Sequence, residues 1–493
     1  MRARRRSVSL LVTLATVLIV TVPTEYYVVQ QAEAAASGPA LTPLQQGFMD
    51  HIDHIIFLVL ENHAFDSQFG TYCLQKSKVC PYTSVGLNQS HCIPLNPAKP
   101  EGTCEKPFNF TKSQEFLGDL GHLEYNATTD FNHGSMNDFY IGEGDKSETF
   151  GHFNGTTSPT FWDIAEEFTL DDNFFSSLLD YSLPNHWHIV AGQAPSIAIT
   201  NTTETQGPGQ APGPFIQMDH KYLNESNATR SIEDLLVNST VSWKYYDYTL
   251  GTYAKAIAIN LNANKTQVIS TGRAYDYWNP LAAKHESYTG AFVSHYVPNT
   301  QFYSDAKNGT LPSISWVIPA GQDSDHPLMS NNTVSQDYVA SIVDAVETSP
   351  EWNSSILYIT WDDWGGFYDS VKPPLADNQQ LGFRVPLLVV SPYTAKGWIA
   401  TSQGYFEAIL RTMEWRFGLG CVATLDCKAP LAIWGQNFTH APRAPVLFST
   451  KFNESSYPYN PDWNQTAEQA MLSNYDPPEE FVYFPDGEAP DID

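Results

Sequence analysis

Two acids stand side by side at Asp362 and Asp363, in the stretch YITWDDWGGFYDSV, where an apolar run stops and Gly365-Gly366 begins a turn. Neighbouring carboxylates repel, and in a chain whose charged content is only 16% their pairing calls for a cation or a shared proton between them. A second pair, Glu61-Asn62, follows the apolar run Ile55 to Leu60. Each pair offers hard oxygen ligands, and two such pairs could share one divalent cation, with Mg, Mn, Ca and Fe all admissible. The two glycines let the backbone leave the strand sharply, so adjacent acids need not point to opposite faces. Taken singly, an acid at a strand end is an ordinary cap or turn residue; the metal expectation depends on the pairs coming together.

A hydroxyl and several imidazoles add to this set. Ser182, in LLDYSLPNHWHIV, stands at the entry to a helix expected to start near Pro184. Backbone N–H groups and the positive end of the helix dipole suit a phosphorylated hydroxyl there, and the plainer alternative is an N-cap serine. His122 in LGDLGHLEY and His326 in DSDHPLMS lie in polar loops, where an imidazole can contact a phosphate or protonate a leaving oxygen. His186 and His188 flank an apolar turn and read as packing or supporting residues.

These groups need strands and helices to hold them. Ile55 to Leu60, Ile356 to Thr360 and Val385 to Pro392 read as buried strands, and Ser335 to Glu347 and Gln403 to Phe417 as helices. Alternation of the two predicts an α/β sheet with helices on both faces, whose ligands bind beyond the carboxyl ends of the strands. Residues 37–50 read as a linker, 51–440 as the catalytic domain and 441–493 as an irregular extension. Residues 73–112 and 200–230 read as loop or cap insertions.

The chain has 493 residues and a net charge of −28, which argues against a nucleic-acid partner. MRARRRSVSLLVTLATVLIVTVP joins a basic cluster to an apolar stretch shorter than the ~20 residues of a spanning helix, so residues 1–36 are expected to be a cleaved signal peptide rather than an anchor. N-glycosylation sequons recur, from Asn88, Asn109, Asn126 and Asn154 through Asn238, Asn308 and Asn353 to Asn437, Asn453 and Asn464, and agree with export to the cell surface or medium. The six cysteines suggest disulfides. Cys421 with Cys427 is the simplest pairing, three pairings are open to Cys73, Cys80, Cys92 and Cys104, and zinc is the competing use. Few Lys and Arg would limit self-repulsion once carboxylates are protonated, which suits an acidic external habitat.

Glu61-Asn62 with Phe65-Asp66, Ser182 with Pro184-Asn185, His326-Pro327, WDDWGGFYDSVKPP and GFRVPLLVVSPY follow one another in an order that resembles the phosphoesterase family of acid phosphatases and bacterial phospholipases C, within the alkaline phosphatase superfamily. The resemblance spans roughly Asp53 to Phe417. It implies an alkaline phosphatase-like sheet, one divalent metal ion held by Glu61, Asn62, Asp362 and Asp363, Ser182 as nucleophile, and His122 and His326 near the phosphoryl oxygens. Three departures stand out: Asp363 where the family usually has Glu, Ser370 and Trp278 where it often has His, with His285 as a replacement for the lost imidazoles. The expected activity is hydrolysis of a small phosphorylated substrate by a secreted acid phosphatase through a phosphoserine. The alternatives are a phospholipase C acting on lipid and a non-catalytic surface glycoprotein keeping the fold; the oligomeric state stays open.

Overall fold

The apolar runs become strands buried on both sides. The structure, a computed structural model, describes residues 40–82, 92–99, 102–115, 117–195, 228–247, 278, 280–283, 293–327 and 329–453. Among them, the strands of the main sheet are β1 (His54–Leu60), β2 (Thr169–Asp171), β3 (Trp243–Asp247), β4 (Tyr296–Val297), β5 (Ile314–Ile318), β6 (Ser355–Trp361), β7 (Leu387–Val390) and β8 (Trp398–Ala400). They lie in the order β8-β2-β7-β6-β1-β5-β3-β4. All run parallel except β7, which is antiparallel to both β6 and β2. In β1 every residue from Ile55 to Leu60 is buried, as is all of β6, which is why these central strands read as unbroken apolar runs without alternation.

Helices flank the sheet. Helices α2 (Pro159–Glu167), α4 (Thr300–Asn308) and α5 (Asn332–Thr348) form one set, with α5 touching both of the others; α3 (Ser182–Ala191) and α6 (Phe406–Phe417) pack on each other as a second. This is the expected α/β sheet with flanking helices. The predicted strands and helices fall where the sequence placed them, with ends shifted by a few residues.

Residues 37–50 are not simply a linker. Helix α1 (Pro43–His51) occupies most of that stretch, with Pro43 at its first turn and a capping box in which Thr42 Oγ1 accepts from Gln45 N. Its Phe48 is fully buried in the main core.

The cysteines pair as Cys73–Cys80, Cys92–Cys104 and Cys421–Cys427, leaving none free for zinc among the described residues. Residues 441–453 run beside α5 without helix or strand: Val446 N donates to Glu347 Oε1, Phe448 N to Asp344 Oδ1 and Thr450 Oγ1 to Asp337 O. Among the described residues no helix is long and apolar enough to cross a membrane. The signal-peptide segment, His285 and the insertion at 200–230, apart from its last three residues, lie outside the described residues.

Candidate active site

Parallel pairing brings the two acid pairs together. Leu60 lies opposite Trp361 at the carboxyl ends of β1 and β6, so Glu61-Asn62 and Asp362-Asp363 leave adjacent strands in step. Backbone bonds stitch the junction: Asp362 N donates to Leu60 O and Ala64 N to Trp364 O. Asn62 adopts a left-handed φ of 58°, a conformation Asn tolerates better than most residues. Gly365 packs so closely on it that a Cβ there would fall 2.1 Å from Asn62 O, which explains why a glycine follows the acids.

Ser182 opens α3 as its first helical residue, not as the cap; the cap position is Tyr181, and it makes no side-chain cap bond. The serine hydroxyl is therefore free for other work. Its Oγ lies 3.1 Å from Glu61 Oε2, 3.4 Å from Asp363 Oδ2 and 3.3 Å from the Asn62 carboxamide. Asn185 holds the preceding loop, donating to Asp180 O at 2.8 Å and Tyr181 O at 3.1 Å and accepting from Leu178 N at 3.0 Å.

The Asn62 carboxamide sits at the centre. Oriented by its neighbours, its amino group faces Asp362 Oδ1 and Asp363 Oδ1, each at 3.2 Å, while its oxygen lies 2.8 Å from His326 Nε2 and 3.1 Å from His122 Nε2. Both imidazoles are pinned from behind, His122 Nδ1 by Leu120 O and His326 Nδ1 by Pro327 O. With Nδ1–H committed to a carbonyl, Nε2 carries a proton only in the imidazolium, the form suited to a phosphoryl oxygen.

The electrostatics ask for a cation. Glu61, Asn62, Asp362 and Asp363 are all fully buried, and Asp362 Oδ2 has no hydrogen-bond partner. Burial, and then repulsion from Asp362 and Asp363, pushes the Glu61 carboxyl well above its ordinary range. A divalent cation among the Glu61, Asp362 and Asp363 oxygens would remove that penalty, and Asn62, whose amino group faces Asp362 and Asp363 here, would complete the set by turning its carboxamide so that its oxygen meets the ion. His122 and His326 form a further group with Asp119, whose Oδ1 lies 3.6 Å from His122 Nδ1.

Glu61, Asn62, Ser182, Asp362, Asp363, His122 and His326 are thus drawn to one place, while His285 lies outside the described residues. Other contributors carried a weaker signal. His186, read as a packing or supporting residue, has Nε2 2.9 Å from Glu61 Oε1 and 3.8 Å from Asp362 Oδ2, and burial pushes its pKa down to about 4. Asp325 accepts from Gln68 Nε2 and Trp361 Nε1 and, on its other oxygen, from Asn332 Nδ2, and so fixes the loop that carries His326. Its left-handed φ of 74° belongs to a turn that DSDHP only hints at. Trp278, where the sequence resemblance expects a His, is buried with its ring 6.0 Å from that of His326.

A second acid cluster lies behind the first. Arg384, from GFRVP, is fully buried and donates to Asp66 Oδ1 at 2.8 Å, Asp172 Oδ1 at 2.9 Å and both oxygens of Asp369 through Nε at 3.2 Å. Asp66 and Asp369 are joined directly as well, since Asp66 N donates to Asp369 Oδ2.

The Phosphoesterase family pattern matches residues 52–420, three quarters of the chain. The chain belongs to the phosphoesterase family. That membership makes it a hydrolase of phosphoric ester bonds. Similar proteins include the non-hemolytic phospholipase C of Burkholderia pseudomallei, 25% identical over 75% of this chain and 56% of that protein. Phospholipase C B of Mycobacterium tuberculosis is 26% identical over 78% of this chain and 76% of that one. Non-specific phospholipase C6 of Arabidopsis thaliana is 27% identical over 71% of this chain and 63% of that one. The chain therefore spans little more than half the length of the Burkholderia protein. Among solved structures, it is similar to an alkaline phosphatase superfamily protein of Vibrio parahaemolyticus, with 12% identity, 64% and 70% coverage and a TM-score of 0.30. The lipoteichoic acid synthase LtaP of Listeria monocytogenes matches with 9% identity, 82% and 81% coverage and a TM-score of 0.35.

Proposed function

We propose that this phosphoesterase is an exported, metal-dependent acid phosphatase that hydrolyses small phosphomonoesters through a phosphoserine on Ser182. The observation that carries it is the placing of the Ser182 hydroxyl, 4% exposed and uninvolved in helix capping, within hydrogen-bond reach of Glu61 and Asp363. Glu61, Asn62, Asp362 and Asp363 would hold the cation, which supplies positive charge to lower the serine pKa and to offset charge on phosphoryl oxygens. Ser182 Oγ attacks phosphorus in line and gives its proton to the neighbouring carboxylate, while the ester P–O bond breaks and the leaving alcohol departs with that proton. His122 and His326, as imidazoliums, donate from Nε2 to phosphoryl oxygens and stabilise the charge that develops there. Water then attacks the phosphoserine and restores the hydroxyl. Export, glycosylation and work in acid rest on the basic-apolar N-terminus, the sequons and the few Lys and Arg. Among the described sequons, Asn109, Asn238, Asn308, Asn353, Asn437 and Asn453 are exposed and are the natural acceptors.

Phospholipase C activity is the second reading, favoured by the names of the Burkholderia, Mycobacterium and Arabidopsis relatives. One assay separates the two. Hydrolysis of p-nitrophenyl phosphate and of a phosphatidylcholine analogue is followed from acidic to neutral pH, with and without EDTA, beside Ser182→Ala. Nitrophenol release that needs both metal and serine, with little lipid cleavage, is expected. Lipid cleavage alone moves the assignment to phospholipase C, and wild-type turnover by Ser182→Ala removes the serine from its role. Bound metal with no turnover of either substrate would leave a non-catalytic surface protein.

A further inference from the structure

Helix α3 presents two groups to Glu61, not one. Ser182 and His186 are four residues apart and so share a helix face. Ser182 Oγ lies 3.1 Å from Glu61 Oε2, and His186 Nε2 lies 2.9 Å from Glu61 Oε1 on the same carboxylate. The imidazole is also 3.8 Å from Asp362 Oδ2, a buried oxygen without a hydrogen-bond partner. Ligand atoms of Glu61, His186 and Asp362 all fall within 4.8 Å of one another, and all three residues are buried.

Such spacing is what a shared ion requires. Two neighbouring ligands on an octahedral ion with bonds of ~2.1 Å stand ~3 Å apart, so the Glu61–His186 separation already matches a ligand pair. A histidine pointing into a purely structural apolar contact would not converge on two acid oxygens, one of them an orphan. We propose that His186 is a nitrogen ligand of the metal centre, completing an oxygen set from Glu61, Asn62, Asp362 and Asp363, and that this nitrogen selects a first-row transition ion over Mg or Ca. Imidazole suits Fe, Zn and their neighbours, whereas all-oxygen sites suit Mg and Ca. This deepens the metal-dependent reading above and rests on it.

The test reads coordination, not turnover. Metal-stripped full-length protein is loaded with Mn(II) and its pulsed EPR spectrum recorded for wild type, His186→Gln and His122→Gln; affinities for Co(II) and Mg(II) are measured by titration. Wild type should show nitrogen modulation from a directly bound imidazole, kept in His122→Gln and lost in His186→Gln. Co(II) affinity should fall in His186→Gln by more than the ~10–100-fold loss typical of residues that only support a ligand, with Mg(II) affinity much less affected. Metal binding without nitrogen modulation in wild type overturns the inference and leaves the metal site standing; no metal binding at all overturns both. The wild-type spectrum decides even where His186→Gln folds poorly.

Discussion

Two acid clusters share the same pair of loops and are built in opposite ways. Asp66 and Asp369, with Asp172, surround the guanidinium of Arg384, so that cluster carries its cation within the chain. Glu61, Asp362 and Asp363, a few residues upstream on the same loops, are met by the Asn62 backbone N–H, the Ser182 hydroxyl and the His186 imidazole. Both are fully buried. The difference lies in how the charge is met: by a guanidinium in one cluster, and in the other by a hydroxyl, an imidazole and amides that leave Asp362 Oδ2 without a hydrogen bond. The inner cluster fixes the loops; the outer one uses them.

Breaking the inner cluster should have the largest effect. Arg384→Met leaves three buried carboxyls without a counter-charge and is expected to cost ~3–5 kcal/mol of folding stability, since removing one partner of a buried ion network leaves uncompensated charge. Urea denaturation of the variant measures it. A midpoint close to wild type would mean that Arg384 is not what reconciles these acids with the core.

Neutralising one acid in each cluster should give opposite signs. Asp369→Asn removes an acceptor of the Arg384 guanidinium and is expected to destabilise by ~1–3 kcal/mol. Glu61→Gln relieves repulsion and should stabilise the metal-free protein by a smaller amount, while abolishing the extra stability that added cation confers on wild type. Thermal melts with and without EDTA distinguish the two; destabilisation of the metal-free protein by both variants would erase the contrast.

How far the sequence revealed this arrangement depends on the residue. Strands β1 and β6 were legible because strands buried on both faces must be apolar throughout, and the acids at their ends stood out against those runs. Ser182 was legible only through its motif, because a helix-entry serine more often caps. His186 was hidden by its apolar neighbours, since nothing in SLPNHWHIVA tells which face meets Glu61. Arg384 was hidden too: a lone arginine in GFRVP gives no hint that three acids from distant segments converge on it. Thr42, Pro43 and Gln45 did carry a helix-start signal, obscured by the loop-like residues before them.

The inner cluster also sets a pH dependence. Burial raises the Asp369 carboxyl to about 7, with Asp66 adding to the rise and Arg384 opposing it. In the unfolded chain an Asp titrates near 3.9, so between about pH 4 and 7 the folded protein holds a proton that the unfolded chain has lost. Stability from this group is therefore fully present below about pH 4, falls as pH rises to about 7 and is level beyond. Asp369→Asn should flatten that slope, measured by denaturation at pH 4, 5.5 and 7; an unchanged slope would place the proton elsewhere.

Ser370 offers the smallest effect and the finest test of where one cluster ends and the other begins. Its N–H donates to Asp66 Oδ2 at 2.8 Å, so its backbone belongs to the Arg384 cluster, while its buried hydroxyl has no hydrogen-bond partner. The resemblance drawn from the sequence expects a His where this chain has Ser370. Ser370→Ala keeps the backbone bond and removes only an unsatisfied hydroxyl, so stability should change by no more than ~0.5 kcal/mol and turnover should stay near wild type. A fall in turnover with unchanged stability would show that the hydroxyl reaches the substrate, and would place Ser370 with the outer cluster after all.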